Sequence, residues 1–211
     1  MTISPRRFAL LLLLVPDALA CRSTPPKPAE NVERTALVGQ PCPALELGAE
    51  PLDPANARVF VEVVAVSTPA LPNPIGRWLE EHAVTVRASA NLVAFPGVAT
   101  SNPWAQCVDA VCADTKRSVH VTARLPEHTS DPIELSVRIE EAPGESGAAP
   151  PKPLLDTTLR APQQDPVVLP SPPELGDGSL VVTAYLLRKF DDLHRVLECK
   201  ERQKEREREL R

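Results

Sequence analysis

The chain has 211 residues, of which 25 are proline, and aromatic residues make up 3% of it. The net charge of −5 excludes nucleic acid as the main partner, because binding to phosphates requires a basic surface. With so few aromatic residues, a core of Val, Leu, Ile and Ala is expected, in a chain long enough for one domain.

The first twenty residues have the three-part layout of a secretory signal peptide. Arg6 and Arg7 form a positive segment, Phe8–Val15 is unbroken and apolar, and Ala18-Leu19-Ala20 is a small-x-small cleavage site. The apolar run is too short to cross a bilayer, which takes about 20 residues. Residues 1–20 are therefore predicted to be a signal peptide, removed during export.

The residue after the cleavage site is Cys21, and Ala18-Leu19-Ala20-Cys21 resembles the lipobox of bacterial lipoproteins. The resemblance implies that Cys21 carries a lipid anchor on the periplasmic face of a bacterial membrane, with the outer membrane favoured. Residues 21–34 are rich in proline and polar side chains, so they are predicted to be a flexible tether. The alternative is ordinary signal peptidase cleavage, which leaves Cys21 free or paired.

Four further cysteines fit an exported protein, in which disulfides form readily. Cys107 and Cys112 are close enough in sequence to close a short loop, and Cys42 could then join Cys199. Four cysteines allow three pairings, which the sequence leaves open. A metal site using Cys107 and Cys112 with His120 or His128 is the alternative interpretation, although no second Cys pair accompanies it. No cofactor is predicted.

The strongest strand prediction is Arg58–Ser67, which is apolar on both alternating faces apart from Glu62. This pattern is typical of a central strand that is covered on both sides. Ile75–His82 is predicted to be a short helix with Trp78 and Leu79 facing the core. Val84–Phe95 alternates again and is predicted to be the next strand.

Ala99–Asp114 is predicted to be a long loop that carries Trp104 and the Cys107/Cys112 pair. After it, Arg117–Leu125 and Pro132–Glu140 alternate cleanly between apolar and polar residues. We expect two antiparallel strands with one buried face. On their polar face, His120 and Arg124 should meet Glu134 or Glu140.

The last third of the chain is predicted to contain a low-complexity loop, three strands and a helix. The loop is Ala142–Pro153, and the strands are Leu154–Arg160, Pro166–Leu169 and Ser179–Leu187. A helical stripe then runs through Leu186, Phe190, Leu193 and Leu197, ahead of a charged tail. The sequence thus predicts a mainly β protein: a single antiparallel or mixed β-sheet domain at 35–187, and a C-terminal helix with a charged tail at 188–211.

The order of these segments resembles the C-terminal β-module of the bacterial secretins. Arg58–Ser67 is similar to the opening strand of that module, and Trp78–Gly97 is similar to its helix, strand and turn. Val119–Pro143 is similar to its hairpin, and the last two strands are matched by Leu155–Leu169 and Ser179–Leu187. The resemblance implies a β fold and an envelope setting, and it carries over no catalytic residues.

The sequence contains no phosphate-binding glycine loop, no nucleophile elbow and no zinc-protease motif. The histidines lie in four different segments, at His82, His120, His128 and His194. We therefore expect a protein that is not an enzyme and has a structural or interaction role in the envelope, accessory to a secretion or pilus system with an envelope protein as partner. The alternatives are a small-molecule or peptide binding module that uses Trp104, and an enzyme centred on His120.

Overall fold

A computed structural model describes the backbone of residues 34–36, 52–68, 71–72, 75, 78, 84–108, 111–143 and 150–209. The signal peptide, Cys21, Cys42 and most of the predicted helix Ile75–His82 lie outside these residues. The described part contains nine strands, one 3₁₀ turn and one long helix. The strands are β1 (Arg34–Ala36), β2 (Arg58–Val66), β3 (Val84–Ala94), β4 (Thr100–Val108), β5 (Val111–Arg124), β6 (Ile133–Glu141), β7 (Lys152–Ala161), β8 (Val167–Pro170) and β9 (Ser179–Leu187). The 3₁₀ turn is Pro173–Leu175, and helix α1 is Phe190–Glu209.

The strands form one antiparallel sheet in the order β7-β6-β5-β4-β3-β2-β9-β8, with β1 paired to the first residues of β3. The sheet curls until it is nearly closed, because β7 approaches β9 and Gln163 pairs with Ala184 of β9. The prediction of a mainly β, single-sheet domain with a C-terminal helix is confirmed.

The inner face of the curled sheet holds the main core, which is built of aliphatic side chains. β5 and β6 supply alternate residues that are fully buried: Val119, Val121, Ala123, Ile133, Leu135, Val137 and Ile139. Their register is antiparallel, with Val121 opposite Val137. The apolar residues of the alternation that predicted this hairpin are therefore the residues of its one buried face.

β2 and β9 are buried on their outer face as well. One part of that face, including Val64 and Val181, packs against Ile75 and Trp78. The other part, including Phe60 and Tyr185, packs against α1. This double covering confirms the prediction of a central strand at 58–67.

The prediction that Ala99–Asp114 is a loop is wrong, because its described residues form strand β4 and the first part of β5. Because Pro103 and the polar residues around it do not alternate with apolar residues, the sequence pattern does not predict this strand. The proline is accommodated because the β4–β5 pairing shifts register between Pro103 and Ala105, where a missing N–H costs no regular ladder bond. Pairing with neighbours on both sides, not the local pattern, makes this segment a strand.

The predicted helical stripe is wrong at both of its ends. Leu186 belongs to β9, and Leu197 is 44% exposed on α1. Among the α1 residues whose side chains the structure describes, the buried ones are instead Asp192, Val196, Cys199 and Gln203, with Leu193 partly buried. The buried polar residues have partners in their own segment: Asp192 accepts hydrogen bonds from the backbone N–H groups of Arg188 and Lys189, and Gln203 Nε2 contacts Cys199 Sγ.

The β3–β2 ladder contains a bulge at Arg87, where the register shifts between Ala65 and Val66. Ala88 packs in the inner core, whereas Val86 packs on the outer face. The Arg87 guanidinium donates to the carbonyl of Gly176 at 3.2 Å and so holds the turn that precedes β9. The sequence predicted that the alternate apolar residues of β3 share one face. Because of the bulge, those before Arg87 lie on the outer face and those after it lie on the inner face.

Candidate functional site

Four polar residues form a cluster on the outer face of β5 and β6. His120 Nε2 lies 3.2 Å from Glu140 Oε2 and 2.9 Å from Ser118 Oγ. Glu140 Oε1 also lies 2.5 Å from Arg138 Nη2. The antiparallel register explains the cluster, since Ser118 is opposite Glu140 and His120 is opposite Arg138.

This cluster contains serine, histidine and a carboxylate, but it does not have the geometry of a catalytic triad. In a triad, the carboxylate and the nucleophile bind different nitrogens of the imidazole ring. Here Ser118 and Glu140 both approach Nε2. Arg138 also pairs with the Glu140 carboxylate, whose side chain is mostly buried. The geometry is therefore that of a cross-strand ion-pair network.

The second predicted cross-strand pair lies nearer the other end of the same hairpin. Arg124 Nη1 is 3.2 Å from Glu134 Oε1, and the two residues are direct register partners. The expectation that His120 and Arg124 would meet Glu140 and Glu134 is confirmed. Exposed pairs of this kind contribute about 0–1 kcal/mol each.

A cavity of about 330 Å³ adjoins the His120 cluster through Ser118. It opens where β6 ends while β5 continues, and its walls are Ser101–Pro103 of β4 and Lys116–Ser118 of β5. Arg117 is held there by the Glu174 carbonyl at 3.0 Å and by Glu141 at 3.8 Å. The lining of this cavity thus includes two cationic side chains, Lys116 and Arg117, and Arg117 is already paired with Glu141.

Trp104 does not contribute to any open surface. Its side chain is 2% exposed and belongs to the inner core. The prediction that Trp104 lines a binding loop is therefore wrong. The tryptophan is buried because the segment is a strand whose inner face closes onto the core.

Cys107 and Cys112 are direct register partners in the β4–β5 hairpin. Residues opposite each other in an antiparallel pair have Cα atoms about 4.5–5.5 Å apart, inside the range for a disulfide. The metal interpretation fits poorly, because His120 is eight residues from Cys112 on one strand, about 26 Å away. His128 lies beyond the opposite end of β5.

Cys199 lies on α1, with its side chain buried against the outer face of the sheet. Gln203 Nε2 contacts its sulfur at 3.7 Å. Its predicted partner Cys42, and the predicted lipid anchor Cys21, lie outside the described residues. These assignments stay predictions.

The sequence reasoning missed a buried polar group beneath α1. Lys200 Nζ lies 2.6 Å from Glu62 Oε2 and 5.2 Å from the centre of the Tyr185 ring. The side chains of Lys200 and Glu62 are only 12% and 15% exposed. The signal was present, since Glu62 is the one charged residue within the apolar run Val59–Val66 of β2.

The pKa values of this group respond to burial and to the pair. Burial raises the pKa of Tyr185, although the nearby Lys200 charge acts against it. Burial would lower the pKa of Lys200, but the Glu62 carboxylate and Tyr185 together raise it above its usual value. Lys200 is therefore a cation at neutral pH and serves to hold α1 on the sheet.

Within the residues that the structure describes, no helix is long and apolar enough to cross a membrane. In the same residues, no three side chains of His, Cys, Asp or Glu come together in a group that could hold a metal ion.

Comparison with known proteins gave no matching family and no matching curated protein. Among solved structures, the chain is similar to the cryo-EM structure of the T2SS secretin XcpQ from Pseudomonas aeruginosa. The TM-score is 0.31 and the identity is 13%, over 69% of this chain and 61% of that chain. The chain thus spans less than two thirds of the secretin chain. The neighbour is of the class that the sequence resembles, but a likeness at this level supports no conclusion about activity or partners.

Proposed function

We propose that this protein is an exported bacterial envelope protein, anchored by a lipid on Cys21, with a structural or interaction role. The observation that carries the proposal is the order of its first segments: a signal-type sequence, Ala18-Leu19-Ala20-Cys21, and a proline-rich tether. The folded part follows, since β1 begins at Arg34. A lipid on Cys21 would hold that domain at the periplasmic face of a membrane, with the outer membrane favoured.

The polar features of the sheet are compatible with a non-catalytic role. The His120 cluster and the Lys200–Glu62 pair are engaged in contacts between neighbouring elements. The further proposal, that the partner is an envelope protein of a secretion or pilus system, rests on the sequence resemblance of 58–187 to secretins. The net charge of −5 favours a protein partner over nucleic acid.

Two disulfides would complete this exported form. Cys107 and Cys112 are opposite each other in the β4–β5 hairpin, which favours their pairing. Cys42 follows Ala36 of β1 by six residues, a chain length of at most about 20 Å. Since β1 contacts α1, Cys42 can reach Cys199.

The test is the intact mass of the protein purified from bacterial membranes, combined with fractionation of a Cys21→Ala variant. We expect a chain that begins at Cys21 and carries acyl groups, and we expect the variant to leave the membrane fraction. A Cys107→Ala/Cys112→Ala double variant is the matched control, because it also removes cysteine thiols but should stay in the membrane. An unmodified wild-type chain, or a Cys21→Ala variant that stays membrane-bound, would refute the proposal.

The cavity beside Ser118 favours one second candidate, a small-molecule or peptide binding module. Lys116 and Arg117 make small carboxylates the ligands to test. Thermal unfolding should shift upwards with a bound carboxylate in the wild type and not in a Lys116→Gln/Arg117→Gln variant. A Lys189→Gln variant, changed at an exposed lysine at the opposite end of the domain, should keep the shift. If no carboxylate raises the unfolding temperature of the wild type, this second candidate function is refuted.

A further inference from the structure

The turn between β3 and β4 exposes two large apolar side chains within four residues. Phe95 is 46% exposed and Val98 is 55% exposed, and both are among the three large hydrophobic residues that stand out as exposed in the described part of the chain. We call the turn Phe95–Val98 the apolar tip. Scattered single apolar residues are ordinary on a surface, whereas a pair presented by one turn indicates a contact.

The apolar tip is held in place by its neighbours. Val98 N donates to the Phe95 carbonyl at 3.0 Å, and Gly97 N donates to the Ala123 carbonyl of β5 at 2.8 Å. Gly97 has a φ of +71°, which a glycine adopts without strain. The Arg58 guanidinium lies 4.4 Å from the Phe95 ring centre and braces the ring from the β2 side. The two side chains therefore point outward from a fixed turn.

The direction of β1 relates the apolar tip to the tether. β1 is antiparallel to β3, with Arg34 opposite Val86 and Ala36 opposite Val84. Since β3 runs towards Phe95, the chain enters β1 from the side of the apolar tip. The chain direction at Arg34 therefore allows the tether to run back towards Phe95.

The lengths agree with this arrangement. Phe95 lies nine residues beyond Val86, a distance of about 30 Å along a strand. Cys21 lies thirteen residues before Arg34, and a proline-rich segment of that length spans about 40 Å. A tether of that length is therefore long enough, by about 10 Å, for the Cys21 lipid and the apolar tip to meet the same bilayer surface.

We propose that the apolar tip inserts Phe95 and Val98 into the interface of the bilayer that holds the Cys21 lipid. This inference rests on the proposed lipid anchor and adds the orientation of the domain. Aromatic and aliphatic side chains next to an arginine suit the boundary between headgroups and acyl chains.

The experiment uses the full lipidated chain in phosphatidylcholine vesicles, with or without brominated acyl chains that quench tryptophan. Phe95→Trp and Val98→Trp place a tryptophan on the apolar tip. Lys152→Trp is the matched control, since Lys152 is exposed at the start of β7, at the opposite end of the sheet. The wild type supplies the background from Trp78 and Trp104.

We expect brominated vesicles to remove most of the emission added by either variant of the apolar tip and none of that added by Lys152→Trp. The proposal is overturned if neither variant is quenched, or if Lys152→Trp is quenched as much as they are, while the mass shows acylated Cys21. An unacylated Cys21 in the same preparation would instead refute the lipid anchor itself, and the orientation with it. The mass measurement thus separates the two failures.

Discussion

Replacing Lys200 with methionine removes the ammonium group that pairs with Glu62 between α1 and the sheet. Methionine keeps the apolar stem of the lysine, so packing beneath the helix changes little. The Glu62 carboxylate, which is mostly buried and lies 2.6 Å from Lys200 Nζ, then loses its cation. We expect the variant to be destabilised because that carboxylate must either stay charged in a poorly solvated site or take up a proton.

The cost of taking up a proton sets the size of the expected loss in the free energy of unfolding. Protonating a carboxyl group with a reference pKa of about 4.3 costs about 3.7 kcal/mol at pH 7, from 1.36 kcal/mol per pH unit. Removing one partner of a buried pair typically costs about 3–5 kcal/mol. We therefore expect a loss of about 3 kcal/mol at pH 7. At pH 5 the cost of protonation falls to about 1 kcal/mol, so the loss should shrink accordingly.

The assay is denaturant unfolding followed by circular dichroism at pH 7 and at pH 5. The matched control is the double variant Glu62→Leu/Lys200→Met, which removes both charges and should lie within about 1 kcal/mol of the wild type, since apolar replacement of a buried pair is often neutral. A Lys200→Met variant that loses less than about 1 kcal/mol at pH 7, or loses the same amount at both pH values, would refute the reasoning.

Three further predictions follow from single features. Gly178→Ala should cost about 3 kcal/mol in denaturant unfolding, because its Cβ would clash with the Val66 carbonyl oxygen of β2 at a φ of +146°. The matched change Gly97→Ala meets no atom within 4 Å and should cost about 1 kcal/mol. Equal losses in the two variants would contradict the clash at Gly178. Tyr185 is the one tyrosine of the chain, and burial raises its pKa above 10.0, so ultraviolet titration should show a midpoint above 10. Because the tyrosine of the unfolded chain ionises first, the free energy of unfolding should fall above pH 10. A titration midpoint at or below 10 would disprove the effect of burial. Peptide mapping without reduction should find Cys107 joined to Cys112, and loss of that short loop should cost about 2 kcal/mol; any other partner for Cys107 would contradict the register.

Strands in which the pattern of apolar and polar residues matches the buried and exposed faces were predictable from the sequence. The hairpin of β5 and β6 is the clearest example, since Val121 and Val137 alternate with polar residues and are fully buried. β2 was predictable because an apolar strand on both faces has to be covered on both faces. The pairs His120–Glu140 and Arg124–Glu134 followed from the same alternation.

Other parts of the fold could not be predicted because distant segments determine them. Strand β4 contains Pro103 and few large apolar residues, and it is a strand because β3 and β5 pair with it. The contact face of α1 was mispredicted because Leu197 is exposed while Gln203 is buried. A helical period shows which residues share a face, but the surface beneath the helix decides which face is buried.

For the candidate sites, the sequence determined the chemistry and the fold determined the geometry. The sequence alone indicates the signal segment, Cys21 and the tether, since these depend on local order and not on packing. It also supplied the serine, histidine and carboxylate of the β5–β6 face, but only the register shows that Ser118 and Glu140 approach the same nitrogen of His120. The Lys200–Glu62 pair and the apolar tip exist only in the folded chain, because each depends on segments that the sheet and α1 bring together or hold in place.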